Sequence, residues 1–153
     1  MRRLTTARGE SLNAHNQLKP CRPLRVLFIE DNPRDVKLLS HHLERAGFDV
    51  HADLVATAPE FMNAIHSTSY DVILADYRLP GWSGMAALEA LQKEGKEIPF
   101  ILVTGTVGDE TAVDCIKKGA IDCILKDRLE RLSFAVERAL ADDDRSRGMR
   151  ESG

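Results

Sequence analysis

The chain has 153 residues, of which 43% are hydrophobic and 29% are charged, and its formal net charge is −3. These values are typical of one globular domain, and they exclude a strongly basic chain that would bind nucleic acid through its overall charge. Because no apolar stretch approaches the roughly 18 residues needed to cross a bilayer, we expect no membrane span. The three cysteines, Cys21, Cys115 and Cys123, show no disulfide or metal spacing, so we expect a cytoplasmic protein with reduced thiols.

The two ends of the chain differ in composition from its centre. Residues 1–23 hold five basic residues and one acid, Glu10, without a sustained apolar pattern, which predicts a disordered tail. An arm that contacts an acidic partner and an organelle transit peptide are alternative interpretations of this segment. The charged residues 142–153 lack apolar anchors and are predicted to fray after the last helix.

Between the tails, residues 24–141 alternate five times between a short apolar run and an amphipathic segment. The runs predict strands over Arg25–Glu30, Asp49–Leu54, Val72–Asp76, Phe100–Thr104 and Cys123–Lys126. The segments between and after them predict helices over Arg34–Ala46, Pro59–Ser67, Gly84–Glu94, Asp109–Lys118 and Leu129–Ala141. Strands that alternate with helices of this size indicate an α/β fold with a doubly wound parallel sheet and right-handed crossovers.

Four of the apolar runs end on polar residues of different kinds. Since ligands bind beyond the carboxyl ends of parallel strands, these residues should meet at one rim of the sheet. They are Glu30 with Asp31, then Asp76, Thr104 and Lys126. Carboxylates bind a divalent cation, while a hydroxyl and an ammonium group bind the oxygens of an anion. The rim is therefore predicted to hold Mg²⁺ beside a phosphoryl group.

Each of these residues also has a purely structural interpretation. A single aspartate at a strand end is often a turn former or a helix cap, and Asn32 before Pro33 is typical of a helix start. Lys126 alone is compatible with a solvated surface lysine. These separate interpretations do not explain why all five side chains fall at strand ends, and we therefore favour the functional one.

The layout resembles the receiver domain of two-component response regulators. The motifs that carry the resemblance are Phe28–Asn32, Leu74–Gly81, Leu102–Gly105 and Ile124–Lys126. Their order along successive strands makes the resemblance specific, and it covers residues 24–141. It implies a flavodoxin-like (βα)5 sheet with strand order 2-1-3-4-5.

The resemblance also implies a role for each rim residue. Asp76 would be the nucleophile that takes a phosphoryl group from a phosphohistidine, and Thr104 and Lys126 would bind the phosphoryl oxygens. The Mg²⁺ ligands would come from Asp31, Glu30, Asp76 and the backbone carbonyl of Arg78. Asp31 is expected to bind the metal directly, whereas the longer Glu30 side chain is expected to act through a water.

The sequence departs from the family pattern at several positions near the site. Cys123 replaces the usual Tyr or Phe, so an aromatic switch is not expected to carry the output signal. Asp127 replaces the usual proline after the lysine. We therefore expect a trans bond between Lys126 and Asp127, because a cis bond without proline costs about 2.5–4 kcal/mol. Arg78 and Thr106 would flank the path of an attacking water.

The function expected from these features is that of a stand-alone phosphoacceptor module that loses its phosphoryl group slowly and is not a dedicated enzyme. Its partners would be a sensor histidine kinase or a phosphotransfer protein, and a downstream protein bound through the face of the fourth helix, fifth strand and fifth helix. No DNA-binding domain is expected in the remaining residues. A haloacid-dehalogenase-like phosphatase is disfavoured by Arg78, which stands where that class needs a second aspartate. An inert scaffold is disfavoured by the presence of Asp76.

Overall fold

The computed structural model describes residues 2–5, 22–79, 81–105, 113–114 and 116–141, with side chains from residue 22 onward except that of Arg78. Outside these residues lie most of the predicted amino-terminal tail (6–21), the predicted carboxyl-terminal tail (142–153) and the start of the helix predicted at Asp109. Among the described helices, none has both the length and the apolar character required for a transmembrane segment.

In the described part of the chain, eight strands form one large sheet and one small ladder. The strands are β1 (Arg2–Thr5), β2 (Arg22–Ile29), β3 (Phe48–Val55), β4 (Val72–Asp76), β5 (Arg78–Leu79), β6 (Trp82–Ser83), β7 (Phe100–Thr104) and β8 (Asp122–Leu125). The large sheet has the order β1-β3-β2-β4-β7-β8, and β5 pairs with β6. The five strands from β3 to β8 in this order are parallel, which confirms the predicted doubly wound topology and its 2-1-3-4-5 order.

The amino-terminal segment is where the structure corrects the prediction. The whole of 1–23 was expected to be a disordered tail, yet Arg2–Thr5 forms β1 and pairs antiparallel with the outer edge of β3. In addition, the first core strand begins at Arg22, opposite Phe48, and not at Arg25. Both differences arise from pairing with β3, because hydrogen bonds to a neighbouring strand can order backbone that has no apolar pattern of its own.

The helices begin at residues whose side chains cap the free backbone N–H groups. The three helices with such caps are α1 (Pro33–Arg45), α2 (Ala58–Ser67) and α3 (Gly84–Lys93). Residues 113–114, 116–117 and 132–141 are also helical. Asn32, Thr57 and Ser83 each accept a hydrogen bond from a backbone N–H in the first turn of the helix that follows. After α1 the chain reverses at Gly47, whose φ of 102° is strained for any residue with a side chain.

Two apolar cores cover the two faces of the sheet. Alternate residues of β2 divide between them: Phe28 lies in the core that contains α1 and the last helix, and Ile29 in the core that contains α2 and α3. This alternation follows from the two-residue period of a strand. Because both faces are buried, β4 and β7 are apolar up to their last residue, whereas β3 carries Asp49, His51 and Asp53 within the strand.

Candidate functional site

The predicted site residues lie together at the carboxyl ends of the central strands. Glu30 follows β2 directly, Asp76 is the last residue of β4, Thr104 is the last residue of β7, and Lys126 follows β8 directly. The parallel register aligns these ends, and the backbone N–H of Lys126 donates to the Thr104 carbonyl oxygen at 2.8 Å. The structure therefore brings these four strand-end residues to one edge of the sheet.

Three carboxylates of the rim form a compact group. Glu30, Asp31 and Asp76 each have a carboxylate oxygen within 4.8 Å of the others. Oxygens on opposite sides of one Mg²⁺ ion lie about 4.2 Å apart, since each bond is about 2.1 Å long. Small side-chain movements would therefore bring all three oxygens onto one ion, and hard carboxylate ligands are what Mg²⁺ prefers. The residues present fit the predicted metal.

The three acids differ in their surroundings. Glu30 is 3% exposed, whereas Asp31 is exposed to solvent. One carboxylate oxygen of Glu30 accepts hydrogen bonds from the backbone N–H groups of Asp31 and Asn32, at 3.0 and 3.2 Å. Its other oxygen lies 3.0 Å from Lys126 Nζ. Both oxygens of Glu30 are thus already engaged by protein donors, while Asp31 projects from the same turn toward solvent.

Lys126 reaches three carboxylates at once. Its Nζ atom lies 2.5 Å from Asp35 Oδ2, 3.0 Å from Glu30 Oε2 and 3.5 Å from Asp76 Oδ2. The contact with Asp76 agrees with the prediction that the lysine reaches the central aspartate. The contact with Asp35 was missed in the sequence. Asp35 lies in the first turn of α1, and its only sequence signal is an acid one helical turn after Asp31.

Burial and charge change the proton affinities of this group. Burial raises the pKa of Glu30 to about 7, although the hydrogen bond from Lys126 lowers it, and the neighbouring Asp31 and Asp76 carboxylates raise it further. Burial by itself lowers the pKa of Lys126, but hydrogen bonds to Asp35 and Glu30 outweigh burial and raise that pKa above its usual range. The lysine therefore stays charged, whereas Glu30 titrates near neutral pH.

The backbone beside Asp76 is closely crossed by the start of α3. A Cβ atom added to Gly84 would lie 2.5 Å from the Asp76 carbonyl oxygen and 3.2 Å from Leu102 Cδ1. The Gly84 N–H also donates to the Tyr77 carbonyl oxygen at 3.1 Å. Only glycine allows this approach, so the turn between β4 and α3 is fixed directly against the residue that carries the central carboxylate.

The other predicted positions are placed as follows. Thr104 is buried at the rim, and all peptide bonds of the described residues are trans, which confirms the trans bond predicted between Lys126 and Asp127. Cys123 is half-buried and packs against the core that contains α2 and α3. The backbone of Arg78 lies in β5, its side chain is outside the described part of the structure, and so is Thr106.

Comparison with known proteins places this site in a family. The chain matches the response regulator receiver domain over residues 26–137. The regulatory protein AtoC of Escherichia coli (strain K12) is 34% identical over 118 residues, which cover 76% of this chain and 25% of that protein. The chain thus spans about a quarter of the length of this curated relative.

Solved structures show the same similarity. NtrX from Brucella abortus has a TM-score of 0.74 and 26% identity, with 86% of this chain and 30% of that chain covered. The beryllofluoride-activated receiver domain dimer of NtrC4 has a TM-score of 0.68 and 28% identity, with 77% and 97% covered.

Proposed function

Because this chain belongs to the family of response regulator receiver domains, we propose that it accepts a phosphoryl group on Asp76 in a Mg²⁺-dependent reaction. The observation that carries the proposal is the position of Asp76. It ends the middle strand of the parallel sheet, its side chain is 14% exposed, and it lies beside two further carboxylates and the Lys126 ammonium group. A carboxylate that is partly accessible at such a rim is suited to attack a phosphorus atom.

The proposed donor is a phosphohistidine of a sensor histidine kinase or a phosphotransfer protein. An oxygen of the Asp76 carboxylate forms a bond to phosphorus while the phosphorus–nitrogen bond to the imidazole breaks, and the histidine ring leaves with its electron pair. The product is an acyl phosphate. Phosphoryl transfer depends mainly on positioning and on charge stabilisation, and a rim of fixed side chains provides both.

The surrounding residues would stabilise the charge on the transferring group. Lys126 would donate to one phosphoryl oxygen, and Thr104, from the neighbouring strand end, would donate to another. Asp31, Glu30, Asp76 and the backbone carbonyl of Arg78 would hold Mg²⁺, which neutralises phosphoryl oxygens when bound. In this assignment the chain is a phosphoacceptor that loses its phosphoryl group slowly, and not a dedicated enzyme.

A downstream partner is proposed to bind the face formed by helical residues 113–114 and 116–117, β8 and helical residues 132–141. Large apolar side chains are exposed on its two helical parts: Val113 at 53%, Ile116 at 45% and Phe134 at 69%. Exposed apolar side chains that lie together mark protein interaction sites. In this proposal the receiver, over residues 24–141, acts in the cytoplasm and either signals through this face or passes the phosphoryl group onward.

The experiment compares two aspartates at opposite ends of one strand. The protein, Asp76→Asn and Asp71→Asn are incubated with Mg²⁺ and acetyl phosphate, and intact mass spectrometry measures the gain of one phosphoryl group. Asp71 precedes β4 and accepts a hydrogen bond from the Arg25 N–H at 2.8 Å, so its replacement controls for loss of an aspartate at this strand. We expect labelling of the unchanged protein and of Asp71→Asn only. Equal labelling of Asp76→Asn would show that Asp76 is not the acceptor.

A further inference from the structure

The Lys126 ammonium group has three N–H donors, and the structure shows how they are distributed. Two of them are taken by Asp35 Oδ2 at 2.5 Å and Glu30 Oε2 at 3.0 Å. Asp76 Oδ2, at 3.5 Å, is too far for a good hydrogen bond. The third N–H is therefore the one left for Asp76, and it is available to phosphoryl oxygens bound to that carboxylate.

Asp35 is held firmly at this place by the start of α1. Asn32 caps the helix and Pro33 occupies its first turn, which fixes the backbone direction before Asp35. The Asp35 N–H also donates to the Asn32 carbonyl oxygen at 3.1 Å. A side chain anchored on a helix start is a more precise tether for a flexible lysine than one on a loop.

The two carboxylates that hold Lys126 are not equivalent. Glu30 belongs to the compact acidic group, so Mg²⁺ would compete with the lysine for its oxygens. Asp35 is not a member of that group, although its carboxylate also contacts the Lys126 ammonium group. If Mg²⁺ binds a Glu30 oxygen, Asp35 remains as the partner that keeps the four-carbon side chain of Lys126 in place.

We infer that Asp35 is a positioning residue for phosphoryl transfer to Asp76, and this inference rests on the proposed function. It binds the Lys126 ammonium group and directs the remaining N–H toward the phosphoryl oxygens. Without this tether, the lysine must lose its rotamer freedom during the reaction itself, and the rate falls. Asp35 touches neither the metal group nor the reacting atoms, so its removal leaves Mg²⁺ binding intact.

The test uses a graded pair of variants and a matched control. Asp35→Asn keeps a neutral acceptor and Asp35→Ala removes it, while Glu60→Gln removes an acid from the same position of the first turn of α2. With acetyl phosphate and saturating Mg²⁺, we expect the initial phosphorylation rate to fall about tenfold in Asp35→Ala, in line with the loss of one charge-assisted hydrogen bond. Asp35→Asn should lie between, and Glu60→Gln should match the unchanged protein. Mg²⁺ affinity should change less than about twofold, because Asp35 lies outside the acidic group.

A second measurement reports the tether without any chemistry. The ¹H–¹⁵N signal of the Lys126 ammonium group, assigned by its loss in Lys126→Arg, should be visible in the unchanged protein because its hydrogens are bonded. It should disappear through exchange with water in Asp35→Ala and persist in Glu60→Gln. Glu60→Gln also removes an acid from the first turn of a helix. Loss of the ammonium signal in Asp35→Ala alone would therefore report the tether and not a general loss of helix stability.

The outcomes separate this inference from the proposed function. An unchanged rate and an unchanged ammonium signal in Asp35→Ala overturn the role of Asp35 while Asp76 remains the acceptor. A rate loss that Glu60→Gln reproduces also overturns it, since the effect would then come from the helix start. Absence of labelling in the unchanged protein, or equal labelling of Asp76→Asn, overturns the proposed function and with it the positioning role of Asp35 in phosphoryl transfer. The ammonium signal would then still report whether the tether itself exists.

Discussion

Replacing Glu30 by glutamine should remove a dependence of stability on pH that the structure builds into the rim. Glu30 is 3% exposed, and burial is the main reason why its pKa lies near 7 instead of its ordinary 4.5. The folded protein therefore holds this proton more tightly than the unfolded chain does. The contribution of the Glu30 proton to the free energy of unfolding is therefore fully present below about pH 4.5, and it is lost as the pH rises through about 7.

The size of the effect follows from the two pKa values. At 1.36 kcal/mol per pH unit, the difference between 4.5 and about 7 corresponds to roughly 3 kcal/mol in total. Part of this is already lost at pH 5, because an unfolded glutamate is mostly ionised there. Between pH 5 and pH 8 we therefore expect Glu30 to lower the free energy of unfolding by about 2 kcal/mol. Glutamine has no proton to lose, so Glu30→Gln should lack this contribution.

Urea unfolding at pH 5 and pH 8, with a chelator to exclude divalent metal, measures the effect. The loss of stability between the two pH values should be about 2 kcal/mol smaller in Glu30→Gln than in the unchanged protein. Glu89→Gln, at an exposed position of α3, controls for the removal of one negative charge. If Glu30→Gln and Glu89→Gln lose stability equally with pH, burial does not hold a proton on Glu30, and the reasoning fails.

Two further predictions concern the metal and the turn beside Asp76. Asp31→Ala should weaken Mg²⁺ binding at least tenfold and more than Glu30→Ala does, because Asp31 is exposed while both oxygens of Glu30 accept hydrogen bonds from the protein. Isothermal titration with Mg²⁺ decides this, and a greater loss in Glu30→Ala would reverse the two roles. Gly84→Ala should lower the free energy of unfolding by about 2–4 kcal/mol, since its Cβ would lie 2.5 Å from the Asp76 carbonyl oxygen. Gly105→Ala, with nothing within 4 Å of the added Cβ, is the matched control, and equal urea midpoints for the two variants would refute the clash.

The order of the residues was enough to predict the parallel sheet and to bring Glu30, Asp76, Thr104 and Lys126 to one edge of it. Strands buried on both faces require continuous apolar runs, so the points where β2, β4, β7 and β8 end are visible as the first polar residues after each run. Right-handed crossovers then bring Glu30, Asp76 and Lys126 to one edge. Helix starts were also close to correct, because Asn32, Thr57 and Ser83 are local capping signals.

Contacts between residues that lie far apart in the chain leave no local pattern and could not be predicted. Lys126 and Asp35 are 91 positions apart, and no periodicity shows that the start of α1 brings that carboxylate to the lysine. The strand β1 forms against the edge of β3, although Arg2–Thr5 has no alternation that would predict it. The proton affinity of Glu30 likewise depends on burial and on the charges of Asp76 and Lys126 from two other strand ends, which come close only when the sheet has assembled.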